Sequence, residues 1–403
     1  MNRTALDSHI KPEQLETYEQ KGYMIIDDPC PPELLDNVRD EVEHLYHEEF
    51  DVSDLNYVSE AGLRYSRNSL EANDGYQWQR VARAWKVCDS VRAVALDPKV
   101  LAITEELFGR KVWPFNTLNF PIGTQQPGHF DTMAFQSDPP NYMCGVWVAL
   151  EDMDMDNGPL IYYPGSHKLR LTWEEIDELT GTRVKRADHE TLESFRAARH
   201  DQYAAYCKLV VEHYGFEPEY GLIKKGQALL WAPNLLHGGS PQRDMSRTRH
   251  SQVTHYMFEG CRHYTPLIAE PDHIYWLYPT WISDPPPVDT TESIHAAITE
   301  HVPEGETVLI ASEGYEGLLD LDGREARHFP QDEDGSPMQC AELGADAVDH
   351  LERMRADGAH YVVWPMKVLN WLAWTRPDLQ RHLESRYRGL LRDGNICAIY
   401  ELR

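Results

Sequence analysis

The triplet His129-Phe130-Asp131 places an imidazole and a carboxylate at positions i and i+2, a spacing that turns both side chains to one face of extended backbone. Alone it carries little weight, because further His-x-acid triplets begin at His47, His350 and His382. Those three fall in segments with helical periodicity, where i and i+2 stand about 200° apart and share a metal poorly. Only His129 lies in β context, next to the turn-forming pair Pro127-Gly128. A second histidine, His237, emerges from the apolar run Leu229-Leu230-Trp231 just before Gly238-Gly239. Standing alone, it would read as a structural histidine. Two histidines and one carboxylate on strand ends instead make a facial triad, which leaves coordination positions open for a co-substrate and O₂. Zinc more often takes closed tetrahedral ligation, or three ligands plus water. Downstream, Arg247 and Arg249 precede a strand carrying His255. A guanidinium can grip a carboxylate with two parallel hydrogen bonds, although two neighbouring arginines equally suit a solvated surface pair.

The elements that must hold these residues begin with a helix opened by Lys11-Pro12 and ended by Gly22, followed by a short strand, Tyr23 to Ile26. A second amphipathic helix spans Pro31 to Tyr46, and Val91 to Leu107 reads as one further helix. From Val112 short β-type runs follow, broken by Gly, Pro and Asn: Val112 to Ile122, Met143 to Leu150, Leu160 to Tyr163, Gln227 to Trp231 and Gln252 to Phe258. This pattern predicts an antiparallel sandwich or barrel. A charged insertion, about residues 171–220, interrupts the strands as helices outside the barrel core, either a surface insert or a substrate lid. Asn116, Asn119 and Gln125 lie on the approach to His129, where they face either the pocket or the surface.

Ser283-Asp284-Pro285-Pro286-Pro287 predicts a stiff, extended linker. We therefore expect an oxygenase-type domain over 1–284, a linker over 285–304, and a small α/β layer domain over 305–403. The last is read from strand and helix alternating through Thr307–Ala311, Asp346–Ala356, His360–Trp364, Arg376–Tyr387 and Ile396–Leu402.

Of 403 residues, 66 are Asp or Glu and 38 Lys or Arg, a formal net charge of -28. That surface repels nucleic acid and anionic membranes, so neither is an expected partner. The 41% hydrophobic content is enough for a buried core. Seven scattered cysteines without a C-x-x-C pair argue against a disulfide scaffold or zinc ribbon and fit a reducing compartment. With no basic-then-apolar leader and no membrane-length apolar run, the expected location is cytoplasmic.

Several motifs together resemble the phytanoyl-CoA dioxygenase family. They are the opening helix with Gly22-Tyr23, His129-x-Asp131, Gly145-Val146-Trp147-Val148-Ala149-Leu150-Glu151-Asp152, Asn157-Gly158-Pro159-Leu160, Pro164-Gly165-Ser166-His167, and His237-Gly238 with its downstream arginine. Their joint order over about residues 10–270 is specific. The resemblance implies an α+β fold built on a double-stranded β-helix (cupin-like jelly roll) with flanking helices. It also implies Fe(II) held by His129, Asp131 and His237, and 2-oxoglutarate as co-substrate. In that family the arginine binding 2-oxoglutarate sits six residues before the histidine of the final strand, which selects Arg249 over Arg247. Trp147 matches a position beside the co-substrate. The family's small hydroxyl residue two places after the distal histidine is replaced here by Gly239, with Ser240 adjacent; Ser240 and Asn119 join the candidate co-substrate contacts. Related halogenases lack the carboxylate ligand, so Asp131 favours hydroxylation of a small-molecule substrate with O₂, yielding succinate and CO₂.

The C-terminal stretch resembles a small domain of bacterial glycosyltransferases and surface-glycan enzymes. The resemblance rests on Phe329-Pro330-Gln331-Asp332-Glu333-Asp334-Gly335, a helix before Gly358-Ala359, and His382-Leu383 near Arg386-Tyr387-Arg388. The acidic motif does not match an EF-hand loop and reads as a solvated turn. A competing, non-enzymatic reading keeps the jelly roll as a sensor of a carboxylic acid, but that role does not require all of His129, Asp131 and His237.

Overall fold

The computed structural model describes residues 8–47, 80–271, 273–277, 279, 281–283, 291–344, 346–394 and 396–403. The chain forms two compact units, one of Met1–Leu267 with Ile282–Asp284, the other of Ile268–Trp281 with Pro285–Arg403.

In the first unit, strands β1 (Tyr23–Ile26), β2 (Val81–Ala82), β3 (Val112–Phe120), β5 (Met143–Ala149), β8 (Ala228–Trp231) and β10 (Ser251–Phe258) make a six-stranded antiparallel sheet ordered β1-β8-β5-β10-β3-β2. A smaller sheet is ordered β7-β6-β9, from Glu219–Tyr220, Leu160–Tyr162 and His237–Gly239. Strand β4 (Gln136–Asp138) pairs with β11 (Arg262–Tyr264). Strand alternation divides the core in two. Cys144, Val146 and Val148 of β5 join a cluster with Leu35 and Val38 of helix α2 (Pro32–His47) and with Val91. Trp147 and Ala149 point the other way, into a cluster with Leu229, Trp231, Leu160 and Tyr162. The sheet is thus buried on both faces, which is why its strands read as apolar runs.

Helix α1 (Pro12–Lys21) carries proline in its first turn and ends at Gly22 with φ 87°. The single helix expected over Val91–Leu107 is two, α3 (Asp89–Ala95) and α4 (Pro98–Phe108). The break falls where Pro98 cannot continue a helix and the Asp97 carboxylate accepts from Lys99 N and Val100 N, capping the second. The charged insertion folds as helices α5 (Trp173–Thr180) and α6 (Leu192–Tyr214).

The second unit has a five-stranded mixed sheet. With β12 (Thr307–Ile310), β13 (Glu325–His328), β14 (Tyr361–Pro365), β15 (Arg388–Arg392) and β16 (Cys397–Glu401), the order is β13-β12-β14-β16-β15, the first three parallel and the remaining pairings antiparallel. Helix α7 (Thr291–His301) packs Ile294, Ala297 and Ile298 on one face of the sheet. Helices α8 (Ala347–Ala356), α9 (Met366–Thr375) and α10 (Pro377–Arg386) cover the other. The expected linker over 285–304 therefore contains a core helix, whose apolar spacing is hidden among Thr, Glu and His. The acidic motif leaves β13 as a turn in which Asp332 accepts from Asp334 N and Ser336 N.

Candidate metal centre

The three candidate ligands meet through a two-residue ladder rather than along one strand. His129 forms an isolated bridge with His237, each backbone N–H donating to the other's carbonyl, at 2.9 and 3.1 Å. Phe130 is extended (φ -111°, ψ 126°), so the i, i+2 geometry holds, yet Asp131 already begins a 3-10 turn over Asp131–Met133. Gly238 permits this approach: a Cβ there would lie 2.7 Å from the Gln126 carbonyl and 3.1 Å from Gly128 N. One ligand atom from each of His129, Asp131 and His237 falls within 4.8 Å of the others, the only such His/Cys/Asp/Glu group among the described residues. Asp131 Oδ1 stands 3.6 Å from His129 Nε2 and 3.8 Å from His237 Nε2.

The surroundings aim each donor. His129 Nδ1 is 3.0 Å from the Pro127 carbonyl and His237 Nδ1 is 2.9 Å from the Leu235 carbonyl. Since those carbonyls only accept, both Nδ1 atoms carry the proton and both Nε2 lone pairs face Asp131 Oδ1. The Gln126 amide nitrogen lies 3.4 Å from His129 Nε2. Asp131 Oδ2 is taken up elsewhere. Trp231 Nε1 donates to it at 2.8 Å, and His255 Nε2 lies 3.7 Å away. Trp231 reaches this position because residue 145 is glycine; a Cβ there would sit 2.2 Å from the indole. Burial alone would raise the Asp131 carboxyl, but His237, His255, His129 and the Trp231 N–H hold it below its usual value. Burial, with the neighbouring His237, pushes His129 down to about 4, and burial pushes His255 to about 4 as well. A carboxylate held in its charged form and two Nε2 atoms facing it, with His129 pushed toward its neutral form, make the donor set a divalent cation requires, so the residues present fit iron.

Trp231 and His255 were not singled out as site residues from sequence, because their roles depend on cross-strand register: Gly145 pairs with both. Trp231→Phe keeps the packing and deletes the donor, so Asp131 loses the bond that turns Oδ1 inward. Fe(II) affinity is expected to fall about 10- to 100-fold in an anaerobic titration; unchanged affinity would show that the indole N–H does not orient the carboxylate.

The two arginines separate cleanly. Arg247 is partly exposed and pairs with Asp154 at 3.0 Å. Arg249 is 2% exposed, and its guanidinium lies 5.3 Å from the Phe120 ring centroid and 5.5 Å from that of Trp147. Its Nε is buried without a hydrogen-bond partner among the described residues, and burial pushes its pKa down to about 10. Trp147 is fully buried, its Nε1 likewise without a partner. Ser240 Oγ donates to the Pro159 carbonyl at 2.7 Å, and Asn119 Nδ2 donates to Gln252 Oε1 at 3.1 Å, with Asn119 Oδ1 buried and without a partner among the described residues. Asn116 Nδ2 meets His255 Nδ1 at 3.3 Å. His167 packs against Gly22 and reaches the Glu19 carbonyl, a structural placement. Of the competing triplets, His350 and His382 lie in helices, and the one starting at His47 runs outside the described residues.

A two-histidine, one-carboxylate cluster, with Asp131 and His237 buried and His129 partly open, inside an antiparallel sandwich defines a metal-dependent oxygenase class. Residues 18–251 match the phytanoyl-CoA dioxygenase (PhyH) family, and the chain belongs to it. It is a 2-oxoglutarate-dependent dioxygenase whose cofactor is iron. The peroxisomal phytanoyl-CoA dioxygenase of Rattus norvegicus is 23% identical over 269 residues, 62% of this chain and 69% of that protein. The ectoine dioxygenase of Nocardia farcinica is 23% identical over 240 residues, 57% of this chain and 72% of that protein. Among solved structures, the non-heme alpha ketoglutarate dependent epimerase SnoN from nogalamycin biosynthesis aligns with a TM-score of 0.45 at 19% identity, covering 64% of this chain and 89% of that one. EctD from S. alaskensis, with 2-oxoglutarate and 5-hydroxyectoine, aligns at 0.45 and 18%, covering 66% and 82%. No described helix is long and apolar enough to cross a membrane.

Proposed function

We propose that this enzyme hydroxylates an unactivated C–H bond of a small-molecule or carrier-borne biosynthetic intermediate, converting 2-oxoglutarate and O₂ to succinate and CO₂. In this reading the two facing sheets are a double-stranded β-helix. His129, Asp131 and His237 hold Fe(II), and Arg249 grips the distal carboxylate of 2-oxoglutarate. The observation that carries the reading is Arg249 itself, a buried cation whose Nε has no hydrogen-bonding partner among the described residues and whose guanidinium lies near the Phe120 and Trp147 rings, in a sandwich that also encloses three convergent metal donors. A ligand-sensing module would have use for the arginine but not for the donors.

When bound, iron supplies the centre at which 2-oxoglutarate and O₂ react. The chain's own contribution is geometric and electrostatic. Trp231 turns one oxygen of Asp131 away and leaves the other facing both imidazoles. The Pro127 and Leu235 carbonyls fix the imidazole tautomers. Phe120 and Trp147 keep water from the guanidinium, so a carboxylate arriving there gains a charge-assisted pair in a low dielectric. Residence in a glycan or secondary-metabolite setting is the reading the C-terminal unit suggests.

The test is succinate formation by the Fe(II)-loaded protein against panels of amino-acid, lipid and sugar-nucleotide candidates, with anaerobic titration of Fe(II) and 2-oxoglutarate followed by the visible charge-transfer band. We expect the band to form with the wild type and one class of candidate to stimulate succinate. Purified protein that holds zinc, shows no band and consumes no 2-oxoglutarate with any candidate would sink the proposal.

A further inference from the structure

We propose that the inserted helices α5 and α6 are a structural half of the metal centre, and that Tyr203 is a positioning residue for its ligands. This rests on the metal reading above.

The insertion is charged in sequence but one-sided in space. Phe195, Tyr203, Tyr206 and Val210 recur at helical spacing on α6 and are buried. Tyr203, Tyr206 and Val210, with Ile176 of α5, form a single apolar cluster together with Phe130 and Leu236. Those two residues adjoin all three donors: Phe130 lies between His129 and Asp131, and Leu236 directly precedes His237. Tyr203 adds a polar contact to this packing. Its hydroxyl accepts from Phe130 N at 2.7 Å and donates to the Phe130 carbonyl at 3.3 Å, so one phenol clasps both backbone groups of the residue linking two ligands. The Phe130 N–H has no ladder partner, because the bridge to His237 uses His129, whereas the Phe130 carbonyl also accepts from Met133 N at 3.1 Å in the turn that Asp131 opens. Without the phenol that buried N–H would be left unsatisfied. On the His237 side, Ser166 Oγ does the matching task, accepting from Leu236 N at 2.9 Å.

If α6 holds the donors in place, metal occupancy must reciprocally steady α6, because coupling between two sites acts in both directions. The insertion is then no detachable lid; its inner face stays docked while the metal is bound.

The experiment uses the full chain with Fe(II) as the anaerobic probe. Tyr203→Phe retains the ring in the cluster and removes only the hydroxyl. Fe(II) affinity is expected to fall about 10-fold or more, as for other outer-shell supports of metal ligands. Amides of residues 195–210 in the wild type should gain hydrogen-exchange protection on adding Fe(II). Wild-type affinity in Tyr203→Phe, or metal binding with no change in exchange over 195–210, overturns the inference. Asp131→Ala serves as control: loss of Fe(II) binding there with wild-type affinity in Tyr203→Phe overturns this inference and leaves the metal reading standing, whereas a wild type that takes up no Fe(II) rejects the metal reading and this inference with it.

Discussion

Asp131→Asn is expected to give a folded protein, at least as stable as the metal-free wild type, that binds no Fe(II). The Trp231 N–H already donates to Oδ2, so the asparagine must place its carbonyl oxygen there and its amide group in the Oδ1 position. That amide then points its hydrogens at His129 Nε2 and His237 Nε2, which are acceptors because both Nδ1 atoms serve backbone carbonyls, and at His129 it competes with the long contact from the Gln126 amide. The substitution replaces a buried charge with a neutral group making the same contacts, which removes a desolvation cost. It also ties up the lone pairs the metal needs and offers a nitrogen that does not ligate. Fe(II) affinity should drop by more than about 100-fold, beyond what outer-shell changes produce, while the thermal midpoint of the metal-free protein holds or rises. Asp131→Ala is expected to differ in stability, since it leaves the Trp231 N–H without a partner at a cost of about 1–3 kcal/mol. Calorimetry of the metal-free proteins and anaerobic Fe(II) titration distinguish the cases. Near-normal iron binding by the asparagine variant would show that Oδ1 is not the ligand.

What the sequence made legible follows the range of the interactions. Apolar runs and turn residues locate the strands, because a sheet buried on both faces leaves continuous hydrophobic stretches. His129-x-Asp131 is readable for the same local reason, since Phe130 keeps the two side chains on one face. The strand His237–Gly239 has no β signature of its own; it exists because two glycines allow the 125–128 segment to approach. Trp231, His255 and Tyr203 support the site from 100, 124 and 72 positions away from Asp131, and no local pattern encodes such register. The split at Asp97-Pro98 was visible in principle, as an aspartate followed by proline is a helix-start signal that outweighs apolar periodicity across it. The choice between the two arginines could be reached by counting residues, but its physical basis, one partly exposed and paired and the other buried with its Nε unpartnered among the described residues, belongs to the fold.

That difference gives Arg249→Met an expected outcome of opposite sign on stability and on binding. Burial of the Arg249 guanidinium, only partly offset by Glu151, burdens the fold until an anion arrives; the net depression of its pKa to about 10 corresponds to roughly 3 kcal/mol. Methionine fills similar space between Phe120 and Trp147 without a charge, so the protein lacking 2-oxoglutarate should unfold at an equal or higher temperature. The same change removes the cationic partner of the incoming carboxylate. Losing one member of a buried charge pair costs about 3–5 kcal/mol, so 2-oxoglutarate affinity should weaken by about 100-fold or more. Fe(II) binding without 2-oxoglutarate should persist, because Arg249 is not among the three donors. Arg247→Met, which only breaks an exposed pair with Asp154, should change 2-oxoglutarate affinity little. Thermal unfolding without co-substrate, set against the charge-transfer titration, reads both signs. A destabilised Arg249→Met protein that still binds 2-oxoglutarate would make the arginine a packing residue and return the carboxylate grip to Arg247.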